Sequence, residues 1–252
     1  MFLRKAQFRL AEDEWFCRHV GGKLVAGKIR NQRTMLLRNH VEPPGAEVRE
    51  LKRLAACAEA AGSLEELLGV EGWAARIYFG LLPGMVKRKH DREDGFTFDF
   101  KARNRRPPRD PVNSLLSLGY SLLTKDLTIA CYAVGFDSMV GFYHQPRHGR
   151  PGLALDLMEP LRPLIADPAV LTAVNTRMIS GRDFLTAGQA VTLTAKGRKG
   201  FVRAYEARMD ASVTHPFFGY RVSYRRLLEI QTRLLAKVLQ GELADYPVFV
   251  TR

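Results

Sequence analysis

The sequence contains little that could cross-link the chain or anchor it in a membrane. Its 252 residues include three cysteines, Cys17, Cys57 and Cys131, and no pair has the CxxC spacing of a zinc ribbon. Cys57 and Cys131 lie in apolar helical runs, so we expect free thiols that pack as small core residues in a reducing cytoplasm. The first residues do not resemble a signal peptide, and the best apolar run, at residues 127–136, is too short to span a membrane.

Acidic residues are also scarce relative to basic ones. Asp and Glu number 26 against 39 Lys and Arg, which gives a net charge of +13 and a pI near 10.0. This balance favours polyanionic partners such as nucleic acids, with a basic enzyme unrelated to nucleic acids as the alternative. Basic clusters at residues 23–38, 87–92 and 196–203 are predicted to contact a phosphate backbone, unless they are solvated helix faces.

Signals for β-strands are few, whereas helical periodicity extends over most of the chain. The Gly21-Gly22 pair is expected to weaken or bend the first helix, and Gly69 to interrupt a later one. The strongest helix starts at Asp110-Pro111, an N-cap followed by a proline at the first helical position. Helices are predicted at residues 7–38, 46–61, 70–82, 110–134, 197–209 and 222–240, with a further helix from 153 that breaks at Pro160 or Pro163, and extended segments at 96–100 and 191–194. The fold class is therefore mainly α, with at most a short β-hairpin.

One histidine stands ahead of a helix that carries two carboxylates. His144 precedes Asp156 and Glu159, which are three residues apart and therefore share one helical face. The rest of that helix is apolar, so the carboxylates need partners if they are buried. A histidine and two carboxylates near many arginines are the groups that a divalent-metal site acting on phosphodiesters requires. A structural histidine beside a solvated acidic face is the alternative.

Four sequence blocks follow one another along nearly the whole chain. They are GVEG at 69–72 with Ala75-Arg76 and Tyr78-Phe79; RRPP at 105–108 with Asp110-Pro111, Asn113, Ser117 and Tyr120; GFYH at 141–144 with LALDLMEPLRP at 153–163; and HPF at 215–217 with Gln231 and Tyr246-Pro247. In residues, order and spacing they resemble the CRISPR-associated Cas1 integrases of spacer acquisition. The resemblance implies that residues 1–252 form the helical catalytic domain of that family.

The resemblance also implies an N-terminal β-domain, which we expect this chain to lack. Residues 1–14 would then be the remnant of the linker that follows such a domain. A trimmed chain, a naturally short integrase and the end of a fusion protein all fit this expectation. The missing domain should hold a homodimer together in the family, so dimerisation is not expected to proceed in the same way here.

The resemblance assigns a metal site to three residues, Glu71, His144 and Glu159. Carboxylates with a histidine and no thiolate favour Mn²⁺ or Mg²⁺ over zinc. Asp156 would assist catalysis by binding a second ion, by holding a metal-bound water or by orienting His144. Contacts to DNA are implied for a further set: Arg76, Tyr78, Arg105, Arg106, Asn113, Ser117, Tyr120 and Arg162. Ser117 and Tyr120 could instead support the site, and the arginines could pair with the site carboxylates instead of DNA or in addition to it.

The function implied by this resemblance is that of a metal-dependent DNA endonuclease and integrase in CRISPR adaptation, an antiviral defence. Such an enzyme joins 3′-OH ends of captured DNA to repeat boundaries by phosphoryl transfer. Double-stranded and branched DNA and a Cas2 protein are the implied partners, and no membrane is involved. The main alternative is a catalytically silent DNA-binding or assembly module of the adaptation complex. A metal-dependent junction nuclease outside CRISPR is a third interpretation.

Overall fold

The computed structural model describes residues 2–87, 95–104 and 106–251, and most of these are helical. The helices are α1 Phe2–Ala11, α2 Glu14–Asn39, α3 Gly45–Ala60, α4 Leu64–Leu81, α5 Pro111–Val134, α6 Gly152–Met158, α7 Ala166–Asn175, α8 Ala195–Asp210 and α9 Tyr224–Leu239, with short 3₁₀ turns at Leu82–Met85, Glu159–Leu161 and Gly181–Asp183. The antiparallel pairs β1 Phe184–Ala187 with β2 Ala190–Leu193, and β3 Ser212–Thr214 with β4 Arg221–Ser223, are hairpins. The mainly-α prediction is confirmed, with two short hairpins in place of one at most.

Helix α5 lies at the centre of the fold and has the predicted ends. Asp110 accepts a hydrogen bond from the Asn113 backbone N–H at 2.8 Å, Pro111 occupies the first turn, and Gly135 ends the helix at φ 102°. The helix packs against α6, α7 and α9, and its Leu115, Leu123 and Leu127 are fully buried. Local capping and apolar periodicity agree along its length, which explains why the sequence predicted it well.

Helices α2, α3 and α4 form a second packed group. Helix α2 continues through Gly21 and Gly22, so the pair does not interrupt it. A Cβ atom on Gly22 would lie 2.7 Å from the Ala58 carbonyl oxygen, so this glycine allows α2 and α3 to approach closely. Helix α4 also continues through Gly69, where a Cβ atom would meet open space.

The segment before α2 is an integral part of the helical domain. The predicted helix at 7–38 is two helices, separated where Asp13 caps α2 by accepting a hydrogen bond from the Phe16 N–H at 3.0 Å. Residues 2–11 form α1, and the fully buried Gln7 donates hydrogen bonds to the carbonyls of Asp137 and Val140, both at 2.7 Å. Their assignment as a linker remnant stays a prediction.

The helix predicted from residue 153 ends near Pro160, and Glu159 lies where it ends. Helix α6 ends at Met158 and the 3₁₀ turn Glu159–Leu161 follows directly. The Asn31 side-chain amide of α2 donates to the carbonyls of Pro160 at 2.8 Å and Phe249 at 3.0 Å, and its oxygen accepts from the Thr251 N–H at 3.0 Å. One buried side chain therefore joins α2, the turn after Glu159 and the C-terminal tail.

Other segments depart from the sequence prediction in smaller ways. Helix α7 was not predicted, because the prolines at 160 and 163 suggested irregular structure. Residues 96–100 form no strand, and their Phe98 and Phe100 pack into the core. In the described part of the chain, none of the helices combines the length and apolar character that a membrane crossing needs.

Replacing Gly22 of α2 and Gly69 of α4 by alanine should have opposite effects on stability. Gly22→Ala should destabilise the protein by about 1–3 kcal/mol, because the new methyl group meets backbone that cannot move aside. Gly69→Ala should stabilise it by about 0.5–1 kcal/mol, because the methyl group is unhindered and alanine favours helix. Urea unfolding followed by circular dichroism measures both. Equal effects of the two substitutions would contradict the packing role of Gly22.

Candidate active site

The fold brings the four residues of the predicted catalytic set together. Glu71 comes from α4, His144 from the loop before α6, Asp156 from α6 and Glu159 from the turn that follows. Asp156 and Glu159 are at most 1% exposed. Lys28 of α2, which was not in the predicted set, lies between Glu71 and Glu159.

Asp156 is the anchor of the loop that carries His144. Its Oδ2 accepts hydrogen bonds from the backbone N–H groups of Phe142 at 2.6 Å and Tyr143 at 3.1 Å. Its Oδ1 accepts from the His144 backbone N–H at 2.7 Å and lies 2.8 Å from His144 Nδ1. A carboxylate cannot donate, so Nδ1 carries the proton and Nε2 faces Glu159 Oε1 at 3.7 Å. Of the three roles considered for Asp156, these contacts support the orientation of His144.

Lys28 bridges the two other carboxylates. Its ammonium group donates a hydrogen bond to Glu71 Oε1 and lies 2.7 Å from Glu159 Oε2. The interpretation of residues 23–38 as a DNA-contacting surface is therefore wrong for Lys28, which is 4% exposed. Burial alone would lower the pKa of Lys28, but the charges of Glu159 and Glu71 outweigh it and raise that pKa above its usual value. Lys28 is thus a cation at neutral pH.

Glu71 is held as an anion by its neighbours. Burial by itself would raise the pKa of Glu71, yet the Lys28 charge, the hydrogen bond from Lys28 and that from the Tyr143 hydroxyl lower it to about 2. Burial and the Glu71 charge in turn raise the pKa of Tyr143, which keeps its hydroxyl proton. Sequence reasoning missed Tyr143 as a partner of the site, although it directly precedes His144.

Arg162 supplies the second positive charge. Its Nη2 lies 3.0 Å from Glu159 Oε1, and its guanidinium stacks over the Tyr120 ring at 4.8 Å. Arg162 Nε and Glu159 Oε2 are buried and form no aligned hydrogen bond with any of the residues described. For Glu159 Oε2 the neighbouring Lys28 ammonium provides charge but not hydrogen-bond geometry. Arg162 therefore pairs with a site carboxylate, the role that was considered beside a DNA contact.

A buried carboxylate behind the site was also missed. Asp167 of α7 accepts hydrogen bonds from the hydroxyls of Tyr78 and Tyr120, both at 2.8 Å. Burial raises the pKa of Asp167 to about 6, against the lowering effect of these two hydroxyls and of Arg162. The prediction that Tyr78 contacts DNA is wrong, because Tyr78 is fully buried and its hydroxyl is used here. The Tyr120 hydroxyl likewise donates its hydrogen bond to Asp167 inside the protein.

The remaining predicted DNA contacts separate into internal and exposed groups. Asn113 is fully buried, so its predicted DNA contact is wrong; its side chain accepts from Arg103 at 2.7 Å and donates to the Ala102 carbonyl at 2.9 Å. The Ser117 hydroxyl donates to the Asn113 carbonyl at 2.7 Å. Arg76 and Arg106 are exposed and stay predicted DNA contacts. Arg105 lies outside the described residues.

The donor types of Glu71, His144 and Glu159 match a hard divalent cation, but the Lys28 ammonium lies between the two glutamates. As they stand, no three His, Cys, Asp or Glu side chains in residues 2–87, 95–104 and 106–251 are grouped closely enough to hold a metal ion. The Lys28 ammonium fills the position where Glu71 and Glu159 converge. Glu159 Oε2 lacks an aligned hydrogen bond, and His144 Nε2 faces the same carboxylate. Glu71, His144 and Glu159 could therefore bind Mn²⁺ or Mg²⁺, whose ligand preferences these groups match.

The raised pKa of Asp167 predicts an inverse dependence of stability on pH. Folded Asp167 binds its proton up to about pH 6, whereas the unfolded residue releases it near 3.8. Stability should therefore fall by about 2–3 kcal/mol as pH rises from about 4 to about 6, relative to an Asp167→Asn variant. Urea unfolding of both proteins at several pH values measures the difference. Parallel pH curves for the two proteins would contradict the assignment.

Comparison with known proteins places this geometry in a family. The family model described as CRISPR associated protein Cas1 matches residues 1–207. The chain is 48% identical over 255 residues to a Cas4/endonuclease Cas1 fusion of Geobacter sulfurreducens, which covers 99% of this chain and 45% of the fusion. It is 36% identical to an endonuclease Cas1 of Leptospira interrogans, covering 98% of this chain and 99% of that protein. The chain thus spans less than half the length of the fusion relative.

Solved structures have the same fold. A Cas1 protein from Thermotoga maritima superposes with a TM-score of 0.83 at 27% identity, over 100% of this chain and 73% of that one. A chain of a Cas6-RT-Cas1–Cas2 complex gives 0.85 at 26% identity, over 99% of this chain and 27% of that one. A casposase bound to integration product gives 0.83 at 23% identity, which supports the fold alone. By its family match and its identity to curated relatives, the chain belongs to the Cas1 family of CRISPR-associated proteins.

Proposed function

We propose that this chain is a metal-dependent DNA endonuclease and integrase of CRISPR adaptation, which joins 3′-OH ends of captured DNA to repeat boundaries. The observation that carries the proposal is the buried cluster in which Asp156 orients His144 toward Glu159 while Glu71 approaches from α4. Three potential ligands from three separate elements converge in a domain of the Cas1 family. The net charge of +13 suits a polyanionic substrate.

The chain's own groups prepare the site for phosphodiester chemistry. A divalent cation bound by Glu71, His144 and Glu159 would polarise the scissile phosphate and lower the pKa of a hydroxyl nucleophile. Asp156 accepts a hydrogen bond from His144 Nδ1, which leaves Nε2 as the ring nitrogen available to a metal ion. Arg162 and Lys28 offset the negative charge of the carboxylates, which reduces the repulsion that an incoming phosphate would meet.

The substrates and partners are proposed by similarity. One related structure contains a Cas1 chain together with Cas2, and the curated relatives are described as endonucleases. We therefore propose double-stranded and branched DNA as substrates, and a Cas2-type protein as a partner. Arg76 and Arg106, which are exposed, are proposed to contact the DNA backbone. The three free cysteines suit the proposed cytoplasmic location.

One observation favours a second candidate function, a catalytically silent assembly module. The Lys28 ammonium lies between Glu71 and Glu159, where a metal ion would have to bind. If that ion pair were permanent, the domain would bind DNA without cleaving or joining it. Metal-dependent activity therefore distinguishes the two candidates.

A strand-transfer assay tests the enzymatic proposal. Labelled duplex DNA with free 3′-OH ends, a plasmid carrying a repeat, and Mn²⁺ or Mg²⁺ should give labelled plasmid with the wild-type chain. Glu71→Gln should reduce the product by about 100-fold or more, because a ligand is lost, while DNA affinity measured in EDTA changes less than about twofold. Glu59→Gln, which removes a surface carboxylate paired with Arg30, is the matched control and should retain activity.

The result that would sink the enzymatic proposal is equal product from wild type and Glu71→Gln, or product that persists in EDTA. Intact DNA binding without any product from the wild type would instead support the assembly module.

Asp156→Asn should lower activity by about 10–100-fold, because Asn no longer fixes the proton on His144 Nδ1. Asn keeps one acceptor oxygen for the loop N–H groups and puts a donor in place of the other, so the melting temperature is measured beside the rate to report the loss of folding stability. Initial rates at several Mn²⁺ concentrations measure the effect. An unchanged rate with a lowered melting temperature would assign Asp156 a purely structural role.

A further inference from the structure

Lys28 forms ion pairs with two carboxylates that are both proposed metal ligands, and stability alone does not explain this arrangement. Two ligand candidates from separate elements, Glu71 and Glu159, are bridged by a single buried ammonium group. Replacing a buried ion pair with apolar residues is often neutral or stabilising, so such a pair is weak support for a purely structural role. The ammonium occupies the position of the cation that the carboxylates would otherwise bind.

A cavity of about 160 Å³ lies directly beside the ammonium. Its lining includes Lys28, Gln32, Glu71, Tyr120 and Arg162. The volume is several times the roughly 30 Å³ that one water occupies in the liquid. A lysine side chain has four flexible carbons, so its ammonium can reach a new position without backbone movement. The cavity thus provides room for a second position of Lys28.

Gln32 offers a partner in that cavity. It follows Lys28 by four residues on α2, so the two side chains lie on the same helical face. Gln32 is 2% exposed, and its Oε1 is buried without a hydrogen-bond partner among the residues described. A buried acceptor left unpaired is costly, and an ammonium is a strong donor. Arg162 Nε, also buried and without a partner among those residues, lies on the same cavity and offers a donor to an anion.

We propose that Lys28 is an exchangeable counter-ion of the site. It bridges Glu71 and Glu159, and it turns into the cavity when a divalent cation takes the carboxylates. There its ammonium donates to Gln32 Oε1 and, with Arg162, binds a phosphate oxygen of DNA. This inference rests on the proposed metal site, and it makes Lys28 and Gln32 positioning residues.

The exchange has two physical consequences. The metal-free site stays assembled, because the ammonium prevents the two carboxylates from repelling each other. Metal binding also releases a positive charge toward the position of the DNA phosphate, so metal and DNA should each strengthen the binding of the other. A lysine held permanently between the carboxylates would produce neither metal binding nor this coupling.

Lys28→Met tests the first consequence by thermal unfolding in EDTA and in saturating Mn²⁺. In EDTA the melting temperature should fall by about 5–10 °C, because two buried carboxylates lose their shared cation. Mn²⁺ should restore most of this loss, since it replaces the missing charge, and calorimetric titration should give about tenfold tighter Mn²⁺ binding than in wild type. Lys23→Met is the matched control on the same helix, where the lysine pairs with the surface residue Asp245 at 2.5 Å, and it should leave Mn²⁺ binding unchanged.

Gln32→Leu keeps the ion bridge and removes the second position of the ammonium. This variant should fold as wild type does in EDTA and bind Mn²⁺ about threefold to tenfold more weakly, because the displaced ammonium has no acceptor. If Lys28→Met does not fold without metal, Gln32→Leu still tests the exchange of Lys28. Fluorescence anisotropy with a labelled duplex should further show that Mn²⁺ tightens DNA binding at least threefold more in wild type than in either variant.

The outcomes separate this inference from the proposed function. If wild type gives neither a heat of Mn²⁺ binding nor a Mn²⁺-dependent melting shift, the proposed metal function fails. If wild type binds Mn²⁺ but Lys28→Met and Gln32→Leu bind it with wild-type affinity, the exchange alone is overturned. A stability loss in Lys28→Met that Mn²⁺ does not restore also overturns it, because it marks a purely structural lysine.

Discussion

The structure depends on pairing each charged group that folding buries away from water with a donor or a charge of opposite sign. Asp156 and Glu159 are buried, and a carboxylate in such a place is stable only if donors and cations surround it. Asp156 meets this requirement with backbone N–H groups and His144, and Glu159 meets it with Lys28 and Arg162. The positions of α2, α6 and the loop at 142–144 follow from this requirement, because each contributes a group that the others need.

The same constraint divides the predicted DNA-contacting residues into two kinds. Tyr78, Tyr120 and Asn113 have polar groups that are satisfied inside the protein, so they support the site from behind. Arg76 and Arg106 are exposed and free to meet a phosphate backbone. Motif similarity alone does not separate these roles, since a family motif marks support residues and contact residues alike.

Much of the fold follows from local sequence signals, and the failures have physical causes. The limits of α5 were predictable because Asp110, Pro111 and Gly135 act on their own backbone. The packing role of Gly22 was not predictable, because it depends on Ala58, a residue on another helix. Helix α7 was hidden by Pro163, which signals a break but does not prevent a new helix from starting after it.

For the site, the sequence indicated which residues meet but not how their charges are compensated. His144, Asp156 and Glu159 were predictable from spacing on one loop and one helix. Lys28 was assigned to the surface because a lysine beside Arg30 resembles any solvated basic face. A usable signal was present: Lys28, Asn31 and Gln32 recur at helical spacing on the buried side of α2, which marks a polar stripe inside the protein.

The Asn31 side chain connects the tail at residues 249–251 to the turn that contains Glu159. Through one amide, the backbone at Phe249 and Thr251 is joined to the carbonyl of Pro160, the residue that follows Glu159. The tail therefore acts as a brace for a ligand-bearing turn from which it is distant in sequence. A protease that trims these residues, or a partner that pulls on them, would loosen the active site without touching any of its charged groups.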